Sequence, residues 1–352
     1  MHRFLSLISI AAICLSFAFA QTEQNPTQVQ KAFQARNQAI HLLPDVWMRD
    51  PYITQGPSGD FFLTYTTGKD DIPLWRSQDL INWTEMESPY SLADASNHEE
   101  YDSLLSEKIA TQPAFSGPLK VWAPEMYFLD GKWISLHTSN VGIGNLLIGQ
   151  GDDPLAIQSD WGSAFGRNHD PAIFTDRDGS HWLVSRCAAI QRIAKDWSGL
   201  EGEAISLNPS DRKLGHEGCF ILQIDGKYVL FGTAWSTDEM RHGTYNLYYC
   251  VADSLTGPYG PRQFAGRFLG HSTFFQDKEG QWWATAFFNA NKAPLSPDDA
   301  RTQDLSETAY SINRQGLTLV PIDIRLHDGN IVVEVLDKAY AEPGAEEVQS
   351  FE

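Results

Sequence analysis

Two segments of the chain place an aspartate directly before a proline at the start of an apolar run. The first begins at Asp50-Pro51 and the second at Asp170-Pro171. Proline cannot donate to a strand ladder, so Asp-Pro in this setting marks the start or edge of a strand. Each segment therefore holds a carboxylate at a strand end, with a rigid residue behind it. A lone carboxylate of this kind usually caps a turn, so any chemistry depends on how the pattern repeats.

Three further segments resemble these two when the sequence is aligned with itself. The five repeats begin at Asp50, Ala123, Asp170, Glu217 and His271, at intervals of 73, 47, 47 and 54 residues. Each has a short apolar run, a turn built on glycine and a second run rich in aromatic and β-branched residues. The turns read SGD, DGK, DGS, DGK and EGQ. Such turns between alternating runs are typical of β-hairpins.

The repeat length predicts the fold. Four strands and their connections occupy about 40 to 50 residues in a propeller blade. The sequence therefore predicts an all-β protein, a five-bladed β-propeller forming a single catalytic domain over residues 41–340. A β-sandwich also has many short strands, but it does not explain this regular repeat. The longer first interval leaves a polar insertion, roughly residues 87–119, in which we expect some helix.

Propeller geometry brings the repeat starts together. The first strand of each blade lines the central channel, so equivalent residues converge on one mouth. This predicts that Asp50, Asp170, Glu217 and His271 share one pocket. Hydrolysis of a glycoside needs a proton donor for the leaving oxygen and a carboxylate that activates water or attacks the sugar. A third acid raises the pKa of the donor and keeps it protonated.

Charge and cysteine content exclude several classes of protein. The chain has 45 acidic and 26 basic residues, a net charge of −19, and no basic run. This argues against nucleic acid and anionic membrane as partners, because both favour clustered lysine and arginine. A neutral carbohydrate is indifferent to the bulk charge. Cys187, Cys219 and Cys250 fit no zinc pattern and allow at most one disulfide, so we expect buried apolar cysteines.

The first twenty residues have the features of a secretory signal peptide. Arg3 gives a positive start, an apolar stretch follows, and Ala18-Phe19-Ala20 forms a small-x-small cleavage site. The apolar stretch is short for a membrane anchor. We therefore expect a secreted or periplasmic protein without membrane insertion. Residues 21–40 would form an N-terminal extension and residues 341–352 an acidic C-terminal tail.

Five blocks in order resemble glycoside hydrolase family 43 over nearly all of the chain after the signal peptide. They are Arg49-Asp50-Pro51, Trp122-Ala123-Pro124-Glu125, Asp170-Pro171-Ala172-Ile173-Phe174, His216-Glu217-Gly218 and Gly270-His271-Ser272. The resemblance implies an inverting enzyme with Asp50 as general base and Glu217 as general acid. Asp170 would tune the pKa of the acid and orient it. No cofactor or catalytic metal is implied, although in some relatives the histidine equivalent to His271 lies near a structural calcium ion in the channel.

The family resemblance also suggests residues that contact the sugar. Trp122 and Trp47 are candidates for stacking on a sugar face, with packing at a blade end as the alternative. His271 would be a hydrogen-bonded channel residue. Arg314 falls where relatives often have an arginine that reaches the sugar, and an exposed arginine is equally compatible with the sequence. The chain departs from the family pattern at Cys219, where a proline usually follows Glu-Gly.

The predicted function is hydrolysis of plant or algal oligosaccharides or polysaccharides, of the arabinofuranoside, xyloside or galactoside type. Two alternatives stay open. The Trp-Met-x-Asp-Pro segment also resembles family 32 fructan hydrolases, which use the aspartate as a nucleophile and retain configuration. The other alternative is a propeller that binds glycans without cleaving them. Such a protein would have no reason to keep a base, an acid and a tuning carboxylate together.

Overall fold

The computed structural model describes residues 26–112, 115–238, 244–286 and 316–342. Within these residues, 21 strands form five antiparallel sheets arranged as the blades of a propeller. The predicted five-bladed all-β fold is therefore confirmed. The predicted signal peptide and Arg314 lie outside the described residues.

Helix α1 (Pro26–Ala35) and strand β1 (Ile40–Leu42) precede four blades whose strands follow one another in sequence. Blade 1 contains β2 to β5, which are Arg49–Gln55, Phe61–Thr66, Trp75–Ser77 and Trp83–Glu85. Blade 2 contains β6 to β9, which are Val121–Leu129, Lys132–Ser139, Leu146–Gly149 and Ile157–Asp160. Blade 3 contains β10 to β13, which are Ala172–Thr175, His181–Ser185, Ala189–Ile193 and Leu200–Ser206. Blade 4 contains β14 to β17, which are Glu217–Ile224, Lys227–Trp235, Tyr245–Ala252 and Gln263–Gly266.

The fifth blade joins the two ends of the chain. Its later strands are β18 to β21, which are Phe274–Gln276, Trp282–Ala286, Leu317–His327 and Asn330–Val335. The first part of β20 pairs with β1, Leu317 opposite Leu42 and Leu319 opposite Ile40, and the rest pairs with β21. A short helix α3 (Lys338–Ala341) follows. Pairing of an N-terminal strand with a C-terminal blade closes the ring, so both chain ends contribute to holding the channel together.

The glycine turns have the backbone that the sequence predicts. Asp130 and Gly131 both have positive φ, 51° and 74°, and join two strands directly, as do Asp225 and Gly226 with 46° and 89°. A two-residue hairpin turn with positive φ at both central positions matches the twist of its strands and favours Asp-Gly. These turns lie at the end of each hairpin opposite the repeat starts, which leaves the starts at the channel mouth.

Apolar side chains pack mainly between neighbouring blades. Phe62 of blade 1 meets Trp133 of blade 2 edge-on, with ring centroids 4.9 Å apart, and Phe231 of blade 4 lies 4.8 Å from Phe274 of blade 5. Such aromatic pairs add about 0.5 to 1.5 kcal/mol beyond the burial of their area. Packing between blades fixes the position of each inner strand relative to the next.

The insertion after blade 1 is partly helical, as expected. It contains a 3₁₀ turn at Leu92–Asp94 and helix α2 at His98–Thr111. Tyr101 is fully buried, and its hydroxyl donates to Asn145 Oδ1 over 3.2 Å. This bond and the apolar contacts of α2 hold the insertion against blade 2. In the part of the chain that the structure describes, no helix is both long and apolar enough to cross a membrane.

Candidate active site

Four of the five repeat starts share an unusual backbone conformation. Asp50, Ala123, Asp170 and His271 have φ of 51°, 45°, 43° and 54°. Residues other than glycine seldom adopt positive φ, and holding one there costs about 1 to 3 kcal/mol. In blades 1 and 2 this residue lies within a register shift between the first and second strands. The same kink therefore turns each inner strand at the channel mouth.

Blade 4 differs from the predicted alignment by one residue. Gly218, with φ of 59°, takes the kinked position, so Glu217 lies one residue earlier. The strand register agrees, because Glu217 pairs with Thr233 as Arg49 pairs with Thr66 in blade 1. A Cβ on Gly218 would lie 2.9 Å from Thr233 Oγ1, closer than real Cβ contacts. Glycine at this position thus allows the strand to kink directly after Glu217. Glu217 therefore reaches the mouth from one residue before the position that Asp50 and Asp170 occupy in their blades.

One pocket collects the predicted site residues that the structure describes. Its lining residues are Trp47, Arg49, Asp50, Thr66, Gly68, Trp122, His169, Asp170, Glu217 and His271. The three predicted acids, both tryptophans and the channel histidine are therefore together. Arg314 lies outside the described residues, so its predicted role stays a prediction.

The ionisable groups of the pocket form a row in which carboxylates and imidazoles alternate. His271 Nδ1 lies 3.3 Å from Asp50 Oδ1 and 3.7 Å from Asp170 Oδ2. His169 Nε2 lies 3.5 Å from Asp170 Oδ2 and 3.2 Å from Glu217 Oε2. Asp50 and Glu217 therefore stand at opposite ends, with Asp170 in the middle. An imidazole between each pair of carboxylates reduces the repulsion that three neighbouring anions would otherwise feel.

Two threonines, each on the second strand of its blade, connect the row of ionisable side chains to neighbouring blades. Thr66 Oγ1 donates to Asp50 Oδ2 over 2.8 Å and accepts the backbone N–H of Ala123 over 2.8 Å. Thr233 Oγ1 accepts the backbone N–H of His271 over 2.7 Å. Each hydroxyl thus joins one blade to the start of the next, which orients the functional side chains with little freedom.

Glu217 has more donors around it than the other acids. The hydroxyl of Tyr245, from the third strand of blade 4, donates to Glu217 Oε1, and the His169 ring bonds Oε2. His216 Nε2 lies 3.8 Å from Oε1. Burial raises the pKa of Glu217, but the hydrogen bond and charge of His169, the charge of His216 and the Tyr245 bond outweigh burial and hold the pKa well below its usual value. The sequence predicted a raised pKa here, so the structure differs from that expectation.

The pKa values of the two histidines in the row are raised. The Asp170 carboxylate raises the pKa of His169 to about 9, against the effect of burial. Burial lowers the pKa of His271, but the charges of Asp50 and Asp170 outweigh it and leave the pKa above its ordinary value. Burial raises the pKa of Asp170 itself. At neutral pH His169 therefore carries a proton, which it can share with Glu217.

Sequence reasoning missed three residues of this site. His169 stands directly before Asp170 in the segment NHDPAIF, where its position beside a predicted acid was the available signal. Tyr245 and Thr66 lie on later strands of their blades, away from any repeat start. Nothing in the local sequence distinguishes them from other strand residues, so only the folded blades bring them to the acids.

Two side chains of the channel, His271 and Glu125, bear on the calcium ion that the family resemblance suggests near His271. His271 directs Nδ1 at Asp50, which leaves Nε2 as the ring nitrogen it can offer. Burial raises the pKa of Glu125, two residues past its repeat start, to about 8, so this carboxyl is mostly protonated at neutral pH. Calcium prefers several oxygen ligands. These two donors fit an ion held mainly through water.

Cys219 lies two residues after Glu217, where the family pattern has a proline. Cys219 is 2% exposed and packs between blades 3 and 4, while Gly218 supplies the kink. Cys219 and Cys250 are buried, as expected, whereas Cys187 is only partly buried. The Sγ atoms of Cys187 and Cys219 lie 3.3 Å apart as free thiols.

Comparisons with known proteins agree with this architecture. A family model described as Glycosyl hydrolases family 43 matches residues 45–315. The chain is similar to the extracellular endo-alpha-(1->5)-L-arabinanase 1 of Bacillus subtilis strain 168. The two are 24% identical over 287 residues, which cover 77% of this chain and 82% of the arabinanase.

Solved structures of several glycoside hydrolases share the fold. An exo-1,5-alpha-L-arabinanase from a bovine ruminal metagenomic library superimposes with a TM-score of 0.55 at 18% identity, over 82% of this chain and 97% of that one. An endo-arabinase from Bacteroides thetaiotaomicron VPI-5482 gives a TM-score of 0.55 at 19% identity, over 82% and 98%. A thermostable family-43 glycoside hydrolase gives 0.56 at 17% identity, over 86% and 96%.

Proposed function

The chain belongs to glycosyl hydrolases family 43, and from this premise we propose that it cleaves an arabinofuranoside-type bond in an extracellular glycan with inversion at the anomeric carbon. The observation that carries the proposal is the row from Asp50 to Glu217, with a carboxylate at each end and a proton stored between them. Inverting hydrolysis requires a base for water on one side of the sugar and an acid for the leaving oxygen on the other.

In the proposed mechanism Asp50 accepts a proton from a water molecule as that water attacks the anomeric carbon. The bond from this carbon to the leaving oxygen breaks, and the oxygen takes a proton from Glu217. Glu217 receives that proton from His169, whose ring nitrogen lies 3.2 Å away. An imidazolium beside a carboxylate and an imidazole beside a carboxylic acid hold the same number of protons, so the pair acts as one acid.

Asp170 has a supporting part in this mechanism. It lies between both imidazoles, 3.5 Å from His169 Nε2 and 3.7 Å from His271 Nδ1. Its carboxylate raises the pKa of His169 and so keeps a proton next to Glu217. Asp170 therefore tunes the acid through His169, in addition to any direct effect on Glu217. Trp47 and Trp122 flank the row and offer flat apolar surfaces for the sugar.

Two features support the choice of substrate and compartment. The relatives described above include proteins named as endo- and exo-arabinanases, and one of them is named as extracellular. The N-terminal segment of this chain has the composition of a secretory signal. Arabinofuranosides are therefore the first substrates to test, followed by xylosides and galactosides.

The test is hydrolysis of nitrophenyl glycosides and arabinose-containing polysaccharides, with proton NMR of the first sugar released. We expect activity on an arabinofuranoside and release of the inverted anomer. A retained anomer would make Asp50 a nucleophile and overturn the inverting mechanism. Binding without cleavage of every glycan would instead identify a glycan-binding propeller.

A further inference from the structure

A groove continues from the catalytic pocket on the far side of Trp122. Trp122 and His169 line both cavities, and the groove extends from them between helix α2 and the turn at residues 139–142. The groove has a volume of about 340 Å³, compared with about 100 Å³ for the pocket. A ligand whose first unit fills the pocket can therefore continue into the groove along the protein surface.

Helix α2 builds one wall of this groove with a single face. The residues that line it are Leu104, Glu107, Lys108, Thr111 and Gln112. Their spacing places them on one side of an α-helix, one above another. Four of the five are polar, and the fifth, Leu104, also packs with Tyr101 and Leu105 against the core between α2 and blade 2. The helix thus places polar side chains along a cavity, while its apolar residues anchor it to blade 2.

The wall is held rigidly in place. Asn145 of blade 2 accepts from the Tyr101 hydroxyl over 3.2 Å and donates to Asn97 Oδ1 over 3.1 Å at the start of α2. Near the end of the helix, Lys108 Nζ donates to the carbonyl oxygen of Asn140 over 2.5 Å and lies 4.0 Å from the Phe115 ring. A recognition surface on an anchored helix loses little conformational entropy when it binds a ligand.

Positively charged side chains outnumber carboxylates in the lining of the groove, although the protein as a whole is acidic. Lys108, Arg167 and His169 line it against one carboxylate, that of Glu107, although the chain as a whole has a net charge of −19. The Asp170 carboxylate raises the pKa of His169 to about 9, so this ring is cationic at neutral pH. Arg167 is exposed, and within the described residues its guanidinium forms no ion pair. The local charge therefore favours an anionic ligand group.

We propose that the groove is a subsite for the sugar unit next to the cleaved bond, and that it selects a unit carrying a carboxylate, a uronate. Guanidinium groups bind carboxylates through two parallel hydrogen bonds. Thr111 and Gln112 can bond the sugar hydroxyls, and Trp122 offers its ring at the junction with the pocket. The catalytic carboxylates repel an anion in the pocket itself, so the acidic unit belongs beyond Trp122. This inference rests on the proposed function and narrows its substrate to glycans with acidic units.

The test uses a matched pair of substrates, an arabinose-containing oligosaccharide with a uronate unit and its carboxyl-reduced derivative, with a nitrophenyl arabinofuranoside as reference. We expect the native enzyme to prefer the acidic form. Arg167→Gln should lower kcat/KM on the acidic form about tenfold, the size of one charge-assisted hydrogen bond, and leave the other two substrates unchanged. Arg192→Gln, an exposed arginine on the third strand of blade 3, is the control and should change none of them.

The effect of salt on the preference for the acidic substrate provides a second test. The preference for the acidic form should shrink as ionic strength rises, because exposed charges are screened beyond about 10 Å at 0.1 M salt. Equal kcat/KM on the acidic and reduced substrates, or an equal effect of Arg167→Gln on both, would overturn the inference while the proposed function stands.

Failure of the proposed function has a different signature, which is no cleavage of any of the three substrates. The groove is then tested by calorimetric binding of the same uronate oligosaccharide. A roughly tenfold weaker Kd for Arg167→Gln would support the subsite. Equal affinity of the native and variant proteins would overturn it.

Discussion

Asp50 and Glu217 end the same row of charged side chains, yet their surroundings differ. Asp50 contacts one hydroxyl and one imidazole. Glu217 contacts a phenol hydroxyl and one imidazole directly, with a second imidazole close by. A carboxylate that must accept a proton from water needs to be held in a fixed orientation, and Thr66 and His271 hold Asp50 in this way. One that must supply a proton needs a neighbour that stores it, and His169, with its pKa raised to about 9, lies 3.2 Å from Glu217.

The largest effect is expected at the base. Asp50→Ala should lower kcat about a hundred- to ten-thousand-fold on every substrate, because the attacking water loses its proton acceptor whatever the leaving group. Asp45→Ala, an exposed aspartate in the same segment, is the matched control. Initial rates and thermal unfolding of both variants check this. A variant that kept a tenth of native activity would remove Asp50 from the mechanism.

The acid end should respond to the leaving group. Glu217→Ala is expected to lose about a hundred- to ten-thousand-fold on a polysaccharide, but far less on a dinitrophenyl glycoside, whose leaving group needs little protonation. A plot of log kcat against leaving-group pKa should become steeper in the variant. Equal losses on both kinds of substrate would contradict the assignment of Glu217 as acid. The exposed Glu203 provides a control substitution to alanine.

The proton that His169 and Glu217 share predicts how the activity depends on pH. Since the raised pKa of His169 is about 9, the His169–Glu217 pair keeps its proton up to that pH, and activity should fall above it. In His169→Ala the proton resides on a carboxyl alone, so the alkaline limb of kcat/KM should move down by roughly one pH unit or more. His216→Ala should move it less, because that ring lies 3.8 Å from Glu217. An unmoved limb in His169→Ala would show that His169 is only structural.

The sugar surface between the ends should show a smaller effect. Trp122→Ala is expected to raise KM about two- to tenfold with kcat nearly unchanged, from the loss of one stacking contact. Trp47→Ala, in the lining of the same pocket, tests whether both rings contribute. If KM is unchanged in Trp122→Ala and circular dichroism shows an intact fold, Trp122 packs at the blade end and does not bind the sugar.

The smallest effect is expected from metal removal. An ion held through water near His271 would add stability without taking part in proton transfer, so EDTA should lower Tm by a few degrees at most and leave the pH profile in place. Restoring Tm with calcium but not magnesium would identify the ion. Loss of all activity with EDTA would contradict a purely structural place for the metal.

Much of the fold and part of the site could be predicted from the sequence. The hairpin turns at Asp130-Gly131 and Asp225-Gly226 are encoded locally, because only certain residues accept their backbone angles. Repetition of such hairpins at blade length then predicts a closed propeller. Its geometry brings Asp50 and Asp170 to one mouth without knowledge of any side-chain contact.

The position of Glu217 within its repeat could not be predicted from the sequence in the same way. The sequence aligned Glu217 with the other repeat starts, whereas the backbone places Gly218 there. Both the kinked residue and the residue before it line the pocket, as Arg49 with Asp50 and His169 with Asp170 show, so Glu217 reaches the pocket from the earlier of the two positions. The shift is decided by close contacts of Gly218 with Thr233 of β15 and with His271, which precedes β18.

The sequence by itself determined the repeat, the turns and the identity of the three acids, since these depend on residue types and spacing along one segment. Only the tertiary structure decided that His169 stores a proton beside Glu217 and that helix α2 walls a cationic groove. Both features come from side chains that are far apart in sequence and meet when the ring of blades closes. Closure depends on packing between blades, and no single repeat contains that information.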